Sequence, residues 1–380
     1  MNNRNIDLTI LKAFGIIAVV SCHLGESIFK FIGLPISPTM ELFPEYSYHM
    51  PLFIFASGYF YKTIYESDIL KLAKKRFSSI KKYMLCNLFY LILSFILVKF
   101  GLLLMDLEFN LKSLFIEPFL GGFQFYFNGP AWFVPFLFLL QITYISLRKV
   151  ISLKFNSFNN KFSPSFKNES VFLIILLVIG FISTSISNIY AVIDGNVNIL
   201  QSFLRILFGL AFFQLGFYYK EFIQERLNLS IKSFLLVLLS NLIIFIIFGY
   251  YTFSLRTIDF NNHIILPYVS SILGIIYYLH LVKFIVRSNI NSKILSCLCI
   301  IGNYTWSIMM HHLLVKWCLN GIYDFSFMPS NFKAFGNYLI SPILCILLPI
   351  LFAYVYEYII NKFKNKKNLK ANLHLNAKVS

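Results

Sequence analysis

The chain has 380 residues, 58% of them apolar and 18% aromatic, with a formal net charge of +17 and a mean hydropathy of +0.72. Only 13% are charged, against roughly 25% in soluble domains. Apolar runs near 20 residues recur from end to end, so the chain reads as an all-α integral membrane protein, a polytopic bundle of about ten transmembrane helices. Such runs exclude a transmembrane β-barrel, whose spans alternate over about 10 residues. No soluble part offers a basic patch to nucleic acid.

Spans are expected near 7–25, 48–62, 83–105, 130–147, 170–189, 199–219, 233–253, 264–282, 295–319 and 337–360. Alternate loops, together with the two ends, hold about 25 of the 33 Lys and Arg. The positive-inside rule then puts both termini in the cytoplasm, consistent with an even number of spans. The first segment carries an internal Lys and no small-residue cleavage site, which argues against a removable signal peptide. Residues 1–361 are read as one transmembrane domain and 362–380 as a basic, disordered cytoplasmic tail.

The first span contains "KAFGIIAVVSCH", with Lys12 and His23 eleven positions apart and no charge between them. At about 100° per residue the two side chains share a face, about 16 Å apart along the axis. Ionisable groups at such depth are costly and usually line a cavity or pathway. Lys12 is read as serving that pathway or as snorkelling to the interface; His23 is a candidate base or a hydrogen-bonded helix-end histidine. Glu26, three residues later, either orients the His23 ring or is a solvated rim acid.

The second span opens "HMPLFIFASGYFY", with His49 at its start, Pro51 suited to a first turn and Gly58 permitting close helix approach. The loop from Lys62 to Lys82 holds "KLAKKRFSSIKK". Its cations anchor topology against anionic lipid, or Arg76 and Lys75 help hold the phosphates of a nucleotide-bearing donor. "GPAWFVPFLF" leads into the fourth span, with Trp132 in an aromatic belt or on an acceptor platform. The 148–169 loop is rich in Asn and Ser and reads as flexible. Arg205 lies within the sixth span, where it needs a partner, an aqueous cavity or a snorkelling path. In "IGNYTWSIMMHHLLVKW", His311 and His312 point about 100° apart, so one of them at most faces the same cavity as His23. The six cysteines show no metal or redox spacing, and no metal is expected.

Together these stretches resemble the membrane acyltransferase family 3, over roughly residues 5–360. Lys12 and His23 are similar to its basic-x10-His signature, "HMPLFIFASGYF" to its second-span motif, "GPAWFVPFLF" to its Trp-Phe motif, and "IGNYTWSIMMHH" to its late Gly-to-His motif, with His312 at the family's His. Arg205 with "FFQLGFYYKE" looks like a further family feature. Where many members carry a second Arg and a Pro, this chain reads "SSIKKYM", so Arg76 alone matches the donor-side pair. The resemblance implies O-acyl transfer, acetyl above all, from cytoplasmic acyl-CoA such as acetyl-CoA. The acceptor would be a sugar hydroxyl of a surface or exported polysaccharide, or of its lipid-linked precursor, at a bacterial cytoplasmic membrane. His23 would act as base or acyl carrier, Lys12 would meet the donor, and His49, Trp132, Arg205 and His312 would line the cavity. A transporter or flippase of a glycan or lipid intermediate is the alternative from another class.

Overall fold

The computed structural model describes residues 5–24, 44–62, 69–103, 111–120, 126–154, 165–189, 198–226, 229–288, 291–325, 336 and 340–376. The described residues are helical apart from short connections and one isolated bridge between Ser254 and Asp259. The long helices are α1 (Ile6–Leu24), α2 (Glu45–Tyr59), α3 (Ile69–Lys99), α4 (Phe133–Lys154), α5 (Phe166–Ile189), α6 (Ile199–Tyr218), α7 (Ile231–Phe248), α8 (Leu266–Arg287), α9 (Ser292–Asn303), α10 (Thr305–Phe325) and α11 (Ser341–Asn376).

Among the described residues, eight helices are long and apolar enough to cross a membrane, or nine if α9 and α10 are one broken span. The tenth expected span is α2, whose 15 residues rise about 22 Å, short of a bilayer core. The protein is a multi-pass membrane protein. The break after α9 bends the pair by 82°, which the pattern of one apolar run over 295–319 did not anticipate. It falls two residues past Gly302, where α9 packs on α1 so closely that a Cβ would strike the Thr9 carbonyl.

Two other expectations are corrected. The basic stretch 69–82, read as loop, is the start of the 31-residue α3. It holds no Gly or Pro and is rich in Leu, Lys, Ala and Arg, which are good helix formers. The segment read as a disordered tail continues α11 to Asn376, again with no helix breaker after Pro349.

Local chemistry sets several ends. Asn5 accepts from the Leu8 amide at 3.2 Å and caps α1, while capping boxes open α6 (Asn198, Gln201) and α7 (Ser230, Ser233). Gly249, at φ +70°, closes α7. The middle of the bundle is α1, α2 and α6; α7 and α11 are the least buried spans, and their Ile, Leu and Phe side chains suit lipid. Lipid tails are as apolar as leucine, so close packing and polar contacts must join the helices. At Gly58 a Cβ would meet the Phe213 carbonyl, and at Gly216 the Phe55 carbonyl, so α2 and α6 touch backbone to backbone twice. Lys283 of α8 pairs with Asp7 of α1 at 2.6 Å. Arg148 of α4 and Glu169 of α5 form a buried two-pronged pair at 2.7 and 2.8 Å. That pair ties together the ends of the Asn- and Ser-rich loop.

Candidate active site

α1 presents Lys12, Ile16, Val19 and His23 on one face, at spacings of four, three and four residues. α10 repeats that spacing with Thr305, Met309, His312 and Lys316. The two helices pack together, and the stripes meet at the histidines: the His23 and His312 ring centroids are 5.3 Å apart. Lys316 donates to the His23 carbonyl at 2.6 Å, satisfying an acceptor at the end of α1 and pinning α1 to α10.

His312 is buried, and its Nδ1 lies 2.8 Å from the Ile308 carbonyl. A carbonyl only accepts, so the proton sits on Nδ1 and Nε2 keeps a lone pair. Nε2 has no hydrogen-bond partner among the described residues. His311 turns the other way, about 100° around the helix, and its Nδ1 meets the Tyr90 hydroxyl of α3 at 2.6 Å.

Below the histidines lies a cavity of about 250 Å³. Lys12, Ile16 and Val19 supply its α1 wall, and Thr305, Trp306 and Met309 its α10 wall. α2 contributes Met50, Phe53, Ala56 and Ser57, with Phe60 just past its end; α3 contributes Arg76, Ser79 and Ile80. α4 closes the side with residues from Phe133 to Gln141, and Gln141 donates to the Ser57 hydroxyl at 2.6 Å. The Lys12 ammonium stands 5.9 Å from the centre of the Phe60 ring, within cation–π range. Lys12 of α1 and Arg76 of α3 thus bring two cations to the lining, and Arg76 reaches it because the basic stretch is helical.

The remaining expected residues are placed elsewhere. His23 and His312 stand just beyond the cavity, one turn after Val19 and three residues after Met309 respectively. His49, Trp132 and Arg205 are absent from its wall. His49 is buried at the opposite end of α2 from Phe60, edge-on to Tyr46 at 5.4 Å. The Arg205 guanidinium lies 5.1 Å from the Trp132 ring. It donates to the carbonyls of Leu255 (3.1 Å), Arg256 and Leu120 (3.4 Å). A buried guanidinium needs acceptors, and here backbone carbonyls supply them, so Arg205 clamps the connection between α7 and α8. Glu26 and the Lys75 side chain lie outside the described residues.

Lys316, Trp306 and Met309 escaped the sequence reading. A lysine one turn after His312 inside an apolar run was a usable signal, since a charge at that depth calls for a partner. Trp306 and Met309 look like ordinary span residues, and only packing shows which face they occupy.

A family model described as an acyltransferase domain matches residues 5–357. No curated protein and no solved structure matches the chain. With that match over nearly its whole length, joined to a multi-pass helical bundle, the chain belongs to acyltransferase family 3 and is a membrane acyltransferase.

Proposed function

We propose that the protein moves an acyl group, acetyl in the first instance, from cytoplasmic acyl-CoA to a sugar hydroxyl. The acceptor is a cell-surface or exported polysaccharide or its lipid-linked precursor. The observation that carries this reading is the cavity leading from Lys12 and Arg76 to within one turn of the His23–His312 pair. A thioester donor has an anionic head, a long arm with amide carbonyls and an acyl end. Of the two cations, Arg76 suits the head and Lys12 the arm next to it. The buried Trp306 Nε1–H, which has no acceptor among the described residues, suits a carbonyl of the arm. The apolar wall suits the acyl end.

In this reading the Lys12 end of the bundle and both termini face the cytoplasm of a bacterial cell, and residues 1–361 work as one domain. Arg76, with Lys75 beside it, holds donor phosphates, and Lys12 meets the arm. His23 accepts the proton of the acceptor hydroxyl as its oxygen bonds to the acyl carbon. The carbon–sulfur bond breaks, and the proton returns to the leaving sulfur. His312 offers its Nε2 lone pair next to His23, and Glu26 orients the His23 ring. About 16 Å separates Lys12 from His23, too far for one proton transfer, so each serves a different part of the donor.

Membrane vesicles holding wild type or His23→Ala, incubated with radiolabelled acetyl-CoA, test this reading. Label in glycan with wild type, reduced about 10²–10⁴-fold in the variant at equal expression, is the expected result. Equal labelling in both removes His23 from the mechanism.

A further inference from the structure

The cavity wall is graded along its length. Polar groups enter the lining from Lys12, Ser57, Arg76, Ser79 and Gln141; Lys12 lies beside Phe60, and Gln141 bonds Ser57, one turn before Phe60, which puts these at one end. α2 runs opposite to α1: Phe60 lies beside Lys12, and Met50, ten residues earlier, lies about 15 Å toward the other end. That other end is apolar, with Val19 from α1, Met50 from α2 and Met309 from α10. Val19 and Met309 occupy the stripe positions just before His23 and His312, and Met50 lies at about the height of Val19 on α2, so these three side chains form the end of the lining nearest the imidazole pair. All three are buried.

On the reading above that the cavity holds an acyl thioester with its head at the cationic end, we propose that Val19, Met50 and Met309 set the length of the acyl group. Atoms beyond the thioester carbonyl must fit in the space these side chains leave next to the histidines. A branched Val in one strongly preferred helical rotamer makes a rigid stop. Two unbranched Met side chains fill the remaining gap and adapt to what enters it. The wild-type space takes a short acyl group, acetyl before longer chains. Trimming Met309 to Ala removes three heavy atoms, as many as separate an acetyl from a pentanoyl group. One methylene in an apolar pocket is worth about 10–200-fold in discrimination, so one truncation suffices to move the preference.

The experiment measures stabilisation of the detergent-solubilised protein against heating by acetyl-, butyryl- and hexanoyl-CoA, which requires no acceptor. The same thioesters then compete against radiolabelled acetyl-CoA in vesicles. Wild type is expected to bind acetyl-CoA best. Met309→Ala shifts the butyryl-to-acetyl affinity ratio at least about tenfold upward; Val19→Ala shifts it in the same direction, and Val19→Phe weakens every donor longer than acetyl. An unchanged ratio in both Ala variants, or a wild type that already prefers hexanoyl-CoA, overturns the proposal. Wild type stabilised by none of the thioesters overturns the donor reading itself, which keeps the two failures apart.

Discussion

Replacing Glu169 by Gln tests how the helices around the cavity are held. Glu169 accepts two charge-assisted bonds from Arg148, at 2.7 and 2.8 Å, and one from the Gln214 side chain at 2.9 Å. Both ionic side chains are buried, with 7% and 2% of their surface exposed. Removing one charge from such a pair leaves the other uncompensated, which costs about 3–5 kcal/mol. Here the low end is expected, because four rings lie within cation–π distance of the guanidinium, Phe217 nearest at 5.0 Å. They compensate part of the loss, about 0.5–2 kcal/mol. The Gln214 amide keeps an acceptor, the Glu169 carbonyl at 3.3 Å, but the amide NH2 brought in at 169 faces Arg148 N–H groups in place of one oxygen, so one guanidinium N–H loses its acceptor. Arg148→Met should cost a similar amount. The double variant Arg148→Met, Glu169→Leu should recover most of it, since a buried pair and a well-packed apolar replacement are often nearly equal in stability. Unfolding of the four proteins in mixed micelles, followed by tryptophan fluorescence, orders them. Singles as stable as wild type, or a double variant showing the sum of the single losses, would refute the reasoning.

Two further outcomes follow from the geometry. Gly58→Leu should sharply reduce the yield of folded protein, because any side chain there must displace the Phe213 backbone, and Gly101→Ala, whose site opens on empty space but has φ +68°, should cost only about 1 kcal/mol; size-exclusion profiles after solubilisation compare them. Lys316→Met should lower acetyl transfer about tenfold or more by releasing the His23 end of α1, with Lys316→Arg restoring part of it. Equal rates for Met and Arg at matched folding would remove Lys316 from the positioning of His23.

A good part of the molecule was legible in the residues. Span positions follow from hydrophobicity, since a backbone in lipid must satisfy its own hydrogen bonds and does so as helix. Lys12 and His23 share a face through helical periodicity alone, and the ordered motifs carried the family resemblance. Other features depended on which helix meets which. Periodicity allowed either His311 or His312 to face His23; packing turned His312 to it and gave His311 to Tyr90. Arg205 in an apolar run required acceptors, but the carbonyls that meet it lie some 50 and 85 residues away. Of the stretch 148–169 read as flexible, 148–154 and 166–169 belong to α4 and α5, whose Arg148 and Glu169 form a buried pair. A helix carries its own period and caps in its sequence, whereas the partner of a buried charge lies on another helix and exists only once the bundle has assembled.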